Sequence, residues 1–183
     1  MNAPLPAGEA QAVASAGTLK LQVRGIRLEA EGIHAYELCD PDGAPLPPVE
    51  AGAHVDVHLR GGLVRSYSLA GDPKDTSHWL LGVLLEPKSR GGSSAMHNKV
   101  RVGDLLEVGF ARNAFPMASQ AKHSILIAGG IGITPLKSMA HALKDAGASF
   151  ELHYCARSTG HVAFMKELQD LVPQGHLHLH FDG

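Results

Sequence analysis

Two cysteines, Cys39 and Cys155, are all that the 183 residues contain, which excludes a disulfide framework and offers no zinc-type ligand spacing. Charge of either sign is in short supply as well. Sixteen Lys and Arg stand against 18 Asp and Glu for a formal charge of −2, and no basic cluster interrupts the mixture. No nucleic-acid or membrane-surface partner is therefore expected. No apolar run is long enough to span a bilayer. The first 17 residues hold no Lys or Arg and no apolar run of signal-peptide length. They read as a flexible tail, and a reducing cytoplasm is the expected compartment.

What the chain does have is a globular composition, 44% hydrophobic, sufficient for one domain or two small ones. The pattern changes close to Pro116. From Thr18 to Phe115, short apolar runs alternate with polar residues, as in Leu19, Leu21 and Val23 or Val55, Val57 and Leu59. Pro41-Asp42-Gly43, Gly61-Gly62, Gly71-Asp72-Pro73 and Val102-Gly103-Asp104 punctuate them. This predicts about six strands in an antiparallel β-barrel or sandwich. Beyond Pro116, Ser124 to Ala128 reads as a strand buried on both faces. It leads into a helix with Leu136, Met139, Ala140 and Leu143 on one side and a stop at Gly147. A strand at Phe150, Leu152 and Tyr154, a helix over 161–171 and a strand at Leu177, Leu179 and Phe181 complete a β-α-β-α-β run, hence a parallel sheet. The fold expected is thus two-domain: residues 18–117 as a six-stranded antiparallel β-barrel and residues 118–183 as an incomplete α/β parallel-sheet domain. About three strands is few for a doubly wound domain, so a fragment of something longer is expected.

Three segments carry chemistry. Alternation along Arg65-Ser66-Tyr67-Ser68 puts Arg65 and Tyr67 on one side of a strand and Ser66 and Ser68 on the other. A cation, hydroxyls and an aromatic ring are what a phosphorylated aromatic ligand needs; an exposed edge strand is the bland alternative. Arg90-Gly91-Gly92-Ser93-Ser94 precedes a short helix, so glycine amides, serine hydroxyls and an arginine gather where an anion can sit. A flexible turn with Ser93 or Ser94 as N-cap explains the same residues. In Gly129-Gly130-Ile131-Gly132-Ile133-Thr134-Pro135 the glycines admit close backbone approach, Thr134 suits N-cap and Pro135 the first helical position. Pro135 stands where the dinucleotide fingerprint has its third glycine, so the Rossmann pattern is not met.

Taken in order, these segments resemble the ferredoxin reductase superfamily, most closely its phthalate dioxygenase reductase and vanillate demethylase reductase branch. The likeness runs from Leu19 to Gly183. The branch's Arg-Xaa-Tyr-Ser-Leu strand appears as Arg65 to Leu69, and its Arg-Gly-Gly-Ser loop as Arg90 to Ser93. Residues 111–116 look like the link between domains, the segment through Thr134 like the nicotinamide nucleotide loop, and Tyr154 to Ser158 like the strand end that approaches the adenosine ribose.

The resemblance implies a flavin-dependent oxidoreductase, the reductase component of an oxygenase system in aromatic catabolism. FMN is the implied flavin, with FAD less favoured, and NADH or NADPH the hydride donor. Arg65 and Ser66 would hold the phosphate and ribityl region, with Arg90, Gly91, Gly92 and Ser93 completing the phosphate site. Tyr67 and Ser68 would lie against the ring, and Gly82, Val83 and Leu84 would offer it backbone contacts. Gly130 and Gly132 would admit the nucleotide and Arg157 and Ser158 would meet its ribose. Ser68 and Thr134, nearest the reacting rings, are the implied catalytic pair. Electrons would pass to a 2Fe-2S centre or ferredoxin and on to a terminal oxygenase. A plant-type cluster needs four cysteines, so that centre belongs to a domain absent from this chain. The branch's later Cys-Gly-Xaa-Pro segment is missing too, which keeps a flavin-binding module without complete activity as the alternative.

Other residues are read as structure. His176, His178 and His180 share one face of a predicted strand, an exposed polar face explains them, and no metal site is expected. Cys155 is read as a small buried apolar residue, and Trp79 and Tyr36 as core.

Overall fold

A computed structural model describes residues 17–118 and 120–182. Residues 1–16 of the expected tail lie outside the described residues. Strands β1 (Thr18–Ala30), β2 (Ile33–Cys39), β3 (His54–Leu59), β4 (Leu63–Ser68), β5 (Trp79–Leu84) and β6 (Leu105–Gly109) form one antiparallel sheet in the order β4-β3-β6-β1-β2-β5. Helix α1 (Gly92–Lys99) lies between β5 and β6 in the chain. The sheet curls so that its outer strands meet just past the end of β4. There Leu69 bridges Leu81, and the Ala70 N–H donates to the Leu80 carbonyl at 2.8 Å. Strand number and direction match the barrel expectation, with the closure made by this short contact in place of a full ladder.

The alternation read from the sequence is the alternation of burial. Leu21, Val23, Val55 and Val57 face inward, where Tyr36, Leu38 and Trp79 join them.

The second half is β7 (Ser124–Gly129), α2 (Ile133–Asp145), β8 (Phe150–Ala156), α3 (Met165–Leu171) and β9 (Leu177–Phe181), with the strands parallel in the order β7-β8-β9. Leu126, Ala128, Leu152 and Tyr154 share a core with Leu136 and Met139 of α2 and Leu168 of α3. Both helices therefore cover the same face of the sheet. Among the described residues the other face is uncovered: Ile125 is 57% and Ile127 68% exposed. This corrects the expectation that β7 is buried on both faces, because continuous apolar composition does not reveal how many layers stack on a sheet. It also corrects Cys155, which alternates onto the open face and is exposed.

Two helix starts differ from expectation. α2 begins at Ile133 with Gly132 as N-cap, so Thr134 and Pro135 lie inside its first turn; a 3-10 turn at Gly130–Gly132 takes up the preceding residues. α3 begins at Met165, not near His161. The residues before it form a 3-10 turn (Thr159–His161), and Val162, Ala163 and Phe164 are buried.

The halves share apolar surface, since Ile33, Ala35, Ala70 and Leu80 of the first sheet belong to the core of the second. Lys137 of α2 is a charged link across that junction. Only 2% exposed, it donates to the Ala70 carbonyl at 2.9 Å and pairs with Glu167 at 2.7 Å. Its ammonium lies 5.2 Å from the centre of the Phe164 ring.

Candidate functional site

Strand alternation turns Arg65 and Tyr67 inward along β4, while Ser66 is exposed on the opposite side. The Arg65 guanidinium donates to the Val64 carbonyl at 2.8 Å and to the Arg90 carbonyl at 2.9 Å. Its aliphatic stem lies on Gly92 so closely that a Cβ there would stand 2.5 Å from Cγ and Nε. Arg65 and the Arg90–Ser93 loop thus converge although 25 residues separate the two arginines. Gly91 is the N-cap of α1 at φ 92°, a conformation that favours glycine, and contributes no capping side chain. The first-turn amides consequently have no side-chain cap, and the helix dipole adds a partial positive charge. Ser93 and Ser94 sit in the first turn and not at the cap. The Ser93 hydroxyl accepts from the Glu86 N–H at 3.1 Å, and Ser94 Oγ accepts from Asn98 at 3.2 Å.

Tyr67 packs against the core of the first sheet. Burial pushes its phenol up to about 12, against the opposing influence of Arg65. Ser68 follows it at the end of β4, opposite His54. Ser66 is drawn elsewhere: its hydroxyl donates to Asp56 at 2.6 Å, and Arg112 pairs with the same carboxylate. That hydrogen bond, opposed by partial burial and reinforced by Arg112, holds the Asp56 carboxyl below its ordinary range. The Arg112 backbone also bridges His54, so the link between the halves begins docked on the first sheet.

The central strand of the site is β5. Gly82 lies where a Cβ would stand 2.6 Å from the Thr134 methyl and 3.2 Å from the Phe164 ring. A residue expected on the ring side of one cofactor and a residue expected beside the other are therefore in contact. The Val83 carbonyl is 2.8 Å from His97 Nε2 on α1. Thr134 is 5% exposed and donates its hydroxyl to the Ile131 carbonyl at 3.0 Å. Gly130 adopts φ 50°, and a Cβ at Gly130 or Gly132 would meet no atom within 4 Å. These glycines present bare backbone to open space.

A cleft of about 370 Å³ joins the two halves, lined among others by Glu31, Leu84, Glu86, Gly130, Arg157 and His161. It brings together Leu84 of the first half with Gly130 and Arg157 of the second. His161 and Glu31 escaped sequence reasoning. His161 Nδ1 is 2.9 Å from the Ser158 hydroxyl and Nε2 is 3.8 Å from Glu31. The i to i+3 spacing of Ser158 and His161 is the signal that a 3-10 turn would have exploited. A larger cleft of about 460 Å³, lined by Asp72, His141, Asp145 and Glu167, contains none of the expected residues.

An antiparallel sheet bearing Arg65 and a glycine-capped helix is thus followed by a parallel sheet with a glycine turn, with a cleft between them. Residues 126–181 match the family model described as an oxidoreductase NAD-binding domain. The chain is similar to vanillate O-demethylase and phthalate dioxygenase reductases. It is 48% identical over 165 residues to the tert-butanol monooxygenase / tert-amyl alcohol desaturase reductase subunit of Aquincola tertiaricarbonis, covering 90% of this chain and 49% of that one. It is also 48% identical over 164 residues to the vanillate O-demethylase oxidoreductase of Pseudomonas sp. (strain HR199 / DSM 7063), covering 90% and 52%. The solved structure of a phthalate dioxygenase reductase, described as modular for electron transfer from pyridine nucleotides to [2Fe-2S], superposes with a TM-score of 0.87. The two are 40% identical, over 91% of this chain and 52% of that one. The chain spans about half the length of the curated relatives it matches. Among the described residues no helix is long and apolar enough to cross a membrane.

Proposed function

We propose that this chain is the flavin- and nicotinamide-binding part of an oxygenase reductase, with residues 18–117 binding FMN and residues 118–183 binding NADH or NADPH. The observation that carries the reading is the contact of Gly82 with Thr134. It sets the strand expected beside the flavin ring against the loop expected to hold the nucleotide. The donors suit a phosphate: a guanidinium from Arg65, the exposed Arg90, and α1 amides whose glycine N-cap leaves the approach unobstructed. Gly130 and Gly132, with open space before them, suit a pyrophosphate.

A bound flavin would supply hydride acceptance from a reduced nicotinamide and release of electrons one at a time. The chain's own contribution is positional. Arg65, clamped between two carbonyls, orients the phosphate end. Tyr67 and Ser68 form the wall and edge of the ring site. Thr134 has its hydroxyl committed to Ile131, so it acts through the placement of its methyl against Gly82. Buried Phe164 and Lys137 behind it keep water from that side of the junction. Arg157 and Ser158 meet the ribose end, where they govern the choice between NADH and NADPH. FMN is preferred to FAD on the family resemblance.

Two cysteines cannot supply the four thiolates of a plant-type cluster. The electron acceptor, a 2Fe-2S centre or ferredoxin serving a terminal oxygenase or demethylase, therefore lies outside these 183 residues. A flavin-binding module without reductase activity is the second reading, favoured by a parallel sheet of three strands among the described residues, fewer than a doubly wound nucleotide domain carries.

Titration with FMN and FAD, then anaerobic addition of NADH or NADPH, tests both. Quenching of FMN fluorescence that weakens about tenfold or more in Arg65→Ala, followed by bleaching, supports the reductase. Quenching without bleaching selects the module. Neither flavin being quenched overturns both.

A further inference from the structure

The open face of the parallel sheet collects histidines that the flavin site does not use. Parallel pairing sets His153 of β8 beside His178 of β9 and Cys155 beside His180. Glu151, two residues before His153, projects from the same face. Its carboxylate oxygens lie 3.5 Å from His153 Nε2 and 3.5 Å from His178 Nε2, and His123 Nε2 stands 3.9 Å away. One donor atom each from Glu151, His153 and His178 fall within 4.8 Å of one another. Ligands 2.0–2.2 Å from a tetrahedral zinc ion lie about 3.4 Å apart, so these atoms are already gathered to near that spacing.

The supporting contacts have the form that metal-binding imidazoles use. His153 Nδ1 is 3.0 Å from His180 Nε2, a contact between ring nitrogens that holds the orientation of the His153 ring. The rings of His153 and His178 stack at 4.5 Å with an 18° tilt, which limits their rotation.

We propose that Glu151, His153 and His178 bind a divalent cation of the zinc class, with His123 within reach as a fourth ligand and His180 orienting His153. Imidazole and carboxylate donors suit zinc in preference to magnesium or calcium, which take oxygen. The ion fastens β9, which among the described residues has β8 as its single neighbour, to that strand. The flavin assignment plays no part in this inference.

The test is calorimetric titration of the untagged, chelator-treated protein with Zn²⁺, repeated with Co²⁺ and read by visible absorption. One equivalent is expected, with Tm rising about 5 °C or more when the free ion is about a hundredfold above Kd. His153→Ala and His178→Ala each weaken binding about tenfold or more, His180→Ala by a comparable factor at the low end, and Glu151→Gln reduces it while keeping side-chain volume. Cys155→Ser and His58→Ala leave the affinity unchanged. Circular dichroism of the ion-free variants, matching that of the parent, attributes the losses to the ligands. Absence of stoichiometric binding, indifference to both histidine substitutions, or loss in Cys155→Ser would overturn the proposal.

Discussion

The antiparallel and parallel sheets treat their outward faces differently. In the first, the curled sheet and Met96 of α1 enclose a core in which Val23, Leu38 and Val57 have no exposure at all. In the second, α2, α3 and part of the first sheet cover one face while Ile125, Ile127, His153 and His180 look outward on the other. A curled sheet needs little beyond the short α1 to complete its core; a parallel sheet depends on added layers for each face it buries. Substitutions should therefore be costly throughout the first interior, costly on one face of the second sheet, and tolerated on the other.

The sharpest contrast is between Leu38→Ala and Ile127→Ala. The first opens a cavity in a closed core and should cost about 3 kcal/mol, whereas the second should stay within about 0.5 kcal/mol. Urea denaturation measures both, and equal losses would break the comparison.

Next in size is Gly82→Ala, which drives a methyl into Thr134 and Phe164 where the two halves meet. A cost of about 2 kcal/mol is expected from overpacking. Thr134→Ser added to it removes the obstructing methyl and should restore part of that loss, a coupling that a double-mutant cycle reads.

Lys137→Met tests the charged link. It leaves the Ala70 carbonyl without its donor and Glu167 with Arg27 as its remaining partner, though the thioether retains most of the packing. Because Glu167 is 41% exposed, solvent screens the pair and about 1 kcal/mol is expected. Melting of the two halves should become less coincident when followed by Trp79 fluorescence and by far-ultraviolet circular dichroism.

The smallest effect belongs to Asp56. Its carboxyl titrates below the ordinary value in the folded chain, so its contribution is full above the unfolded value of about 3.9 and is lost as pH falls through the lower folded value. Asp56→Asn should remove that acid dependence and cost about 0.5 kcal/mol at neutral pH. Stability measured from pH 6 down to pH 2 checks it, and an unchanged slope in the variant would assign the dependence to other carboxylates.

How far the chain could be read in advance differed between these regions for the same reason. Alternation at Leu21 and Val23, or at Val55 and Val57, reports directly which side of a strand is inside, because side-chain direction reverses at each residue. The Ser124 to Ala128 run carried no such reversal, and its exposed face became legible when the layers were known. Arg65 and Tyr67 shared a side as the two-residue period requires, while the Ser66 hydroxyl went to Asp56, a partner ten residues away on β3. The start of α2 was misplaced by two residues, because the 3-10 turn at Gly130 to Gly132 ends in helical backbone at Gly132 and Ile133.

Local rules of backbone and period were enough to specify about six strands followed by a β-α-β-α-β run, the cationic strand and the glycine loops, and the resemblance of those motifs pointed to the superfamily. Juxtaposition was beyond them. That Arg65 rests on Gly92, that Gly82 meets Thr134, and that His153 stands beside His178 depend on register and packing between segments distant along the chain. Dihedral preferences act over a few residues, whereas these contacts exist because burying apolar surface brings whole sheets together and fixes which side chains face one another.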